Sequence, residues 1–559
     1  MAALVVLLVT ALALATDAFK IGSPQDDLVT NIPGLLYDVS FKTYSGYLDA
    51  GKYGPTKQTG YMHYMLTESK SNPETDPIIL WLQGGPGCSG FSGAFEELGP
   101  FYINKDGATL YENIYSWNTK ANVLFFESPI GVGYSFLEGT PNFADANDDQ
   151  TLEQNYNALN SFFKKFPGYK NRTFYISGES YGGVYLPMLG AKLMDGIISK
   201  NFVNPNFQGI AIGNGYMDIV TLQNALVLWS NYHGMFSLKD WETLKSEQCC
   251  GKAAGKNFDE CDFYNNAFDT KNWLDFTAKD NTCGKILADV IKPPSSMDQY
   301  NYYEDCYDRD EQFVFKEDRS RFHQGKRDSL LAAKARYHNT ASVIDYNSTD
   351  FEFGYPCWQA KVVATYFNKP EVQKAFHIDY ANISSFHDCN NPIYNQYTVT
   401  YRSTRQFFQN MFANVQNAKL QNFRVLVYNG DVDTVCNFIG DAKFIRSFLQ
   451  PTNSPLTEIK RSPWFFRNTT AGFVQHYSGS LSIDVLTVKG AGHMVPMDRP
   501  GPALQMINAF IMGGGNYSDT HGVNMAPTPI PLKTTGGIGS LHASLLTIAV
   551  GLLLSFLFI

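Results

Sequence analysis

The sequence predicts an α/β protein: a mainly parallel central sheet, interrupted by an inserted helical, disulfide-rich cap. Three observations carry this. Between 60 and 214 short apolar runs alternate with amphipathic stretches, the pattern of strands and covering helices. From about 216 to 357 that texture gives way to helical pieces holding six of the nine cysteines. Strand-like runs then return and finish near Gly515.

In chain order, 77–83 (PIILWLQ), 121–127 (ANVLFFE) and 173–177 (TFYIS) read as buried strands, each bounded by Gly, Pro or Asn. Between the second and third, 148–166 places Leu152, Tyr156, Leu159, Phe162 and Phe163 at helical spacing. Residues 184–198 are helix-compatible, and 207–213 (FQGIAIG) gives a further strand. Two more strands, 423–428 (FRVLVY) and 481–488 (LSIDVLTV), each run into a Gly-containing turn. The expected division is a leader at 1–18, core at 19–215 and 358–515, the cap at 216–357, a linker at 516–540 and an apolar tail at 541–559. Within the cap, 308–336 carries many charges and little apolar periodicity; it reads as an exposed loop open to proteolytic processing.

Composition narrows the class. Of 559 residues 44% are hydrophobic and 17% charged, which argues against disorder, a coiled coil or a collagen-like repeat. The net charge of −9 is the wrong sign for a nucleic-acid binder.

The ends read as addresses. Residues 1–18 are apolar, with small residues at Ala13, Ala15, Thr16 and Ala18, as a secretory leader cleaved near Ala15 or Ala18 would have. Sequons at Asn171, Asn347, Asn382, Asn468 and Asn516 fit that route. So do nine cysteines, which in an oxidising compartment imply four disulfides and one thiol, with connectivity open. Small residues at 534–537, a spacer and the apolar run 541–559 match a glycolipid attachment signal. A tail-end membrane helix is the rival, disfavoured because no Lys or Arg follows the run. The expected location is the secretory pathway or the cell exterior, with membrane attachment through the tail.

The chemistry begins at Gly178-Glu179-Ser180-Tyr181-Gly182, a G-x-S-x-G pentapeptide between a strand and a helix. Such an elbow is strained, needs its glycines to avoid clashes, and lifts the serine oxygen above the sheet. A serine is a poor nucleophile until a histidine takes its proton and a carboxylate orients that histidine. Two turns after strands offer the partners: Asn429-Gly430-Asp431-Val432-Asp433 and Gly490-Ala491-Gly492-His493-Met494. Periodicity does not choose between Asp431 and Asp433, and either could simply cap its turn. The order Ser180, acid, His493 is that of α/β-hydrolases. The segment 81–89 (WLQGGPGCS) frees backbone N–H groups that can converge on an oxyanion, together with the N–H of Tyr181 after the serine.

The segments WLQGGPGCSG, ESPIGVGYSF, GESYGGVYLP, YNGDVDTVCNF and GAGHMVP, in this order across about 30 to 515, resemble the serine carboxypeptidase family. The resemblance implies an α/β-hydrolase fold and an enzyme that releases C-terminal residues of peptides and proteins through an acyl-enzyme, favoured at acidic pH. It implies Ser180 as nucleophile, His493 as base, Asp433 rather than Asp431 as orienter, and Gly85 and Tyr181 as oxyanion donors. It implies a substrate-carboxylate site of Gln83, Gly84, Glu97 and Glu179, although family members generally carry Asn where this chain has Gln83. Two carboxyls held together do not both ionise easily, so one keeps a proton and can hydrogen-bond a substrate carboxylate. Met494 is implied in the leaving-residue pocket.

By the same resemblance Cys88 pairs with Cys389, Cys306 with Cys357, and Cys249 and Cys250 with Cys261 and Cys283, leaving Cys436 free beside the acid. Homodimerisation and a lysosomal or vacuolar location are further implications of the resemblance. No cofactor is needed, and no metal-ligand spacing stands out. Two other readings compete: an acyltransferase or esterase using the same triad, and a protective binding partner of lysosomal enzymes.

Overall fold

The computed structural model describes residues 19–54, 57–104, 106–140, 145–294, 297–303, 359–378, 385–449, 454–531 and 533. The leader 1–18, the Cys306–Cys357 bridge, the charged stretch 308–336, the sequons Asn347 and Asn382, the attachment signal 534–537 and the tail 541–559 lie outside them.

Apolar runs of five to nine residues build the centre of one thirteen-stranded sheet. Its main strands are β1 (Thr43–Tyr53), β2 (Gln58–Thr67), β3 (Ile78–Leu82), β4 (Asn122–Phe126), β5 (Phe174–Ser180), β6 (Phe207–Gly215), β7 (Arg424–Gly430), β8 (Thr469–Gly479) and β9 (Ser482–Val488). They lie in the order β1-β2-β4-β3-β5-β6-β7-β9-β8. From β4 to β9 every neighbouring pair is parallel, while β1, β2 and β8 join antiparallel at the flanks.

Strands covered on both faces carry apolar side chains at every position, and β3 and β4 are buried throughout. Alternate side chains feed different cores. Leu80 and Leu82 join a cluster with Ile176, Leu159, Phe162 and Leu186. Ile79 and Trp81 join another, with Phe125, Leu426 and Phe510. Helix α1 (Asp148–Lys165) covers the first face, starting where Asn147 accepts from the Gln150 N–H at 3.0 Å. Its Phe162 is fully buried, and truncation there to Ala would cost about 3–5 kcal/mol. Helix α2 (Gly182–Ile198) follows β5 directly, so Ser180 stands at a strand-to-helix turn.

The region after β6 is mostly helical. Helix α3 (Ile219–Tyr232) gives Ile219 and Leu222 to the main core. Its Val227 instead packs into a separate cluster with Leu244, Phe263, Leu287 and four cysteines. Cys249 is bridged to Cys283 and Cys250 to Cys261, which decides a pairing left open by sequence. A short hairpin, Phe268–Thr270 with Phe276–Ala278, also lies here. Cys88 is bridged to Cys389, tying the glycine loop after β3 to the returning chain. Among the described residues no helix is long and apolar enough to cross a membrane.

Candidate active site

Ser180, Asp433, His493 and the loop 83–85 all follow the carboxyl ends of parallel strands, where open α/β sheets place their ligands; Glu97 comes instead from the helical turn Gly93–Glu97. Ser180 has φ +58°, a left-handed conformation that costs a non-glycine residue energy. The elbow tolerates no bulk around it: a Cβ on Gly178 would lie 2.3 Å from Leu82 O, and one on Gly183 would lie 2.4 Å from Tyr216 N. The Ser180 carbonyl accepts from Tyr216 N–H at 2.8 Å, which fixes the turn.

His493 and Asp433 meet, with Nδ1 2.7 Å from Asp433 Oδ2. Asp433 is fully buried and also accepts from Asn214 Nδ2 at 2.8 Å and from the N–H groups of Val435 and Cys436 at 2.8 and 3.1 Å. Asp433 thus meets four hydrogen-bond donors, which fix its orientation toward His493. With Nδ1 committed to Asp433, Nε2 is the nitrogen left to accept a proton. Asp431 is elsewhere: its Oδ1 accepts from Gly490 N–H at 2.7 Å, so it caps the turn. Among the described residues the His493 ring bonds Asp433 through Nδ1 and no hydrogen bond joins it to Ser180. Such bonds often tighten only with substrate present.

The glycine loop after β3 runs beside the elbow. A Cβ on Gly84 would sit 2.5 Å from the Ser180 Cβ and 2.8 Å from Tyr181 N, and Gly85 has φ +108°. Only glycine allows so close an approach. Neither the Gly85 nor the Tyr181 N–H donates to another described backbone group.

Gln83, Glu97 and Glu179 form one buried cluster, exposed by 7%, 2% and 3%. Gln83 Oε1 accepts from Trp81 Nε1 at 2.7 Å, so the amide nitrogen faces the acids and donates to Glu97 Oε1 at 3.0 Å and Glu179 Oε1 at 2.7 Å. Burial pushes the Glu97 carboxyl up to about 7. Burial first, and then the Glu97 charge, push Glu179 well above the ordinary carboxylate range. The longer side chain at Gln83 therefore reaches both glutamates. Met494, partly exposed, follows the histidine directly.

A family model described as serine carboxypeptidase matches residues 33–513. The chain belongs to the serine carboxypeptidase family. A Caenorhabditis elegans serine carboxypeptidase, ctsa-3.1, is 46% identical over 532 residues, covering 88% of this chain and 89% of the relative. The lysosomal protective protein of Mus musculus is 34% identical over 502 residues, covering 88% and 94%. Among solved structures, a prohormone-processing carboxypeptidase from Saccharomyces cerevisiae superposes with a TM-score of 0.62 at 19% identity, over 88% of this chain and 96% of that one. That likeness shows a shared fold.

Several residues of this serine carboxypeptidase site escape sequence reasoning. The Tyr300 ring lies 5.0 Å from the His493 ring, and its carbonyl accepts from the His493 N–H at 2.7 Å; it comes from the cap, 193 positions upstream, and no local motif marks it. Asn214 donates to Asp433, and its Oδ1 accepts from Gly430 N–H at 2.9 Å. Asn429 donates to Asp441 at 2.7 Å, and Asp441 also accepts from Gly215 N–H at 2.9 Å. Burial pushes Asp441 up to about 8. A polar residue at the end of each strand, Asn214 on β6 and Asn429 on β7, was the available signal. Among the described residues no group of three or more His, Cys, Asp or Glu gathers as a metal site.

Proposed function

We propose that this serine carboxypeptidase removes C-terminal residues through an acyl-enzyme on Ser180, with His493 as base and Asp433 as orienter. The Ser180 oxygen attacks the carbonyl carbon of the last peptide bond as His493 Nε2 takes its proton. The oxyanion is held by the N–H groups of Gly85 and Tyr181. The C–N bond breaks, the proton passes from His493 to the leaving amine, and the C-terminal amino acid departs past Met494 and Tyr300. Water, deprotonated by the same histidine, then attacks the ester, and the Ser180 oxygen recovers the proton.

The observation that carries the reading is the Gln83 amide nitrogen, 3.0 Å from Glu97 and 2.7 Å from Glu179. Glu179 immediately precedes Ser180. Buried, mutually coupled carboxyls hold a proton in acid, and a protonated carboxyl with the Gly84 N–H can grip a free C-terminal carboxylate. A neutral ester or an internal peptide bond offers no such group, which favours exopeptidase action at acidic pH. The mouse relative is named a lysosomal protective protein; an acidic compartment of the secretory pathway suits both that name and this site. Asn171, Asn468 and Asn516 are exposed, as glycan acceptors would be.

The test is a peptide of about ten residues with a free C-terminus, incubated at pH 5 and followed by mass spectrometry. Stepwise C-terminal loss, abolished by Ser180→Ala, is the expected result. Internal cleavage, or loss that survives Ser180→Ala, would contradict the proposal.

A further inference from the structure

Away from the triad, His63 on β2 and Glu127 just after β4 form an ion pair whose side chains are both 0% exposed, with Nδ1 2.7 Å from Oε2. Proton counting defines its state. Ser45 Oγ donates its one hydrogen to Phe376 O at 2.8 Å, so its 3.1 Å contact with His63 Nε2 is donated by the histidine. Ser89 Oγ accepts from Phe91 N–H at 3.1 Å and gives its own hydrogen to Glu127 Oε1 at 2.6 Å. Glu127 Oε2 takes a further N–H, from Tyr134, at 2.9 Å. Both Glu127 oxygens thus accept from other donors, so the hydrogen shared with His63 is placed on Nδ1 and the ring donates from both nitrogens.

The pair is wired to the loop that serves the site. Ser89 ends the turn that begins at Gly84, a turn closed by Cys88 N–H donating to Gly84 O at 3.2 Å. It also caps the short helix Gly90–Ser92, which leads into the turn Gly93–Glu97. There is no slack here: a Cβ on Gly90 would lie 2.2 Å from Phe126 O, and one on Gly133 would lie 1.7 Å from Glu127 Oε1. Glu127 thus holds, through Ser89, the exit of the loop that presents Gly85.

We infer that the buried His63–Glu127 ion pair is a positioning element for the oxyanion loop, acting through Ser89. The inference rests on the proposed roles of Gly85 and Ser180. His63 neutralises Glu127 in a site that water does not reach, and removing one partner of a buried pair strands the other charge. A stranded Glu127 is driven from its buried position and takes Ser89 with it, and the Gly85 N–H is displaced from the developing oxyanion. A misplacement on the order of 1 Å at such a donor costs roughly a hundredfold in rate.

The test compares His63→Gln, Glu127→Gln and the double variant on a blocked dipeptide with a free C-terminus, with Ser180→Ala as control. Each single variant is expected to lose kcat by about tenfold to a hundredfold with KM within threefold. The double variant, which has no charge to strand, should recover much of that loss. In the wild type, nitrogen NMR at pH 5 should show a hydrogen on both ring nitrogens of His63. Unchanged kcat in folded His63→Gln, or a singly protonated His63 in the wild type, would overturn the positioning role alone; the NMR reading stands even if a variant does not fold. Absence of Ser180-dependent turnover in the wild type would instead sink the reading of the site.

Discussion

Gln83 donates to Glu179 across 2.7 Å, and this short contact fastens the glycine loop to the residue that precedes the serine. The same nitrogen reaches Glu97, and the amide oxygen is held by Trp81, so the side chain has one orientation. Gln83→Leu removes both donors from two buried acids. Hydrogen bonds to charged groups contribute about 1.5–3 kcal/mol, so KM for a free-acid dipeptide should rise roughly tenfold to a hundredfold, with a smaller change in kcat. Steady-state kinetics check the split.

Acid preference should reside in KM. Burial holds Glu97 up to about 7, and burial together with the Glu97 charge holds Glu179 well above the ordinary carboxylate range, so in acid the pair keeps a proton to donate to the substrate. As pH rises, the pair becomes more negative and repels the substrate carboxylate, and KM for free acids should climb. Glu179→Gln, which carries a permanent donor, should flatten that rise. A KM profile with the same slope in both enzymes would contradict the assignment.

The same groups fix the sign of the stability profile. Glu97, at about 7 against an ordinary 4.5, and Asp441, at about 8 against 3.8, bind protons more tightly folded than unfolded. Stability is therefore greatest below their unfolded values and falls as pH rises through the folded ones. Scanning calorimetry should find a lower Tm at pH 8 than at pH 5, and Asp441→Asn should shrink the difference.

Asp433→Asn should lower kcat by about ten-thousandfold, the order expected when a triad carboxylate becomes an amide and the histidine tautomer is lost. Asp431→Asn should stay within a few fold, because the Asp431 side chain accepts from the Gly490 N–H rather than meeting His493. Comparable losses in the two variants would remove the basis for choosing Asp433.

Much of this was legible in sequence, for identifiable reasons. Strands such as Ile78–Leu82 and Asn122–Phe126 are buried on both faces, so their apolar runs stand out between Gly, Pro and Asn. The flanking strand Thr469–Gly479 exposes Phe473 and buries Gln475, so its pattern is blurred and sequence reading passed over it. The Ser180 elbow announces itself because strain demands glycines. The choice between Asp431 and Asp433 lay in which turn face meets His493, a tertiary fact that motif resemblance supplied and spacing could not. Tyr300, Asn214 and Asp441 act through contacts between distant segments, where one-dimensional patterns carry no signal.

The central claim is selection of a free C-terminus by an activated serine. The direct measurement is hydrolysis of benzyloxycarbonyl-Phe-Leu against its C-terminal amide from about pH 4 to pH 8, with Ser180→Ala alongside. Leucine release from the free acid, strongest in acid, much slower from the amide and absent in Ser180→Ala, is the predicted result. Equal turnover of acid and amide, or turnover that persists without Ser180, would contradict it.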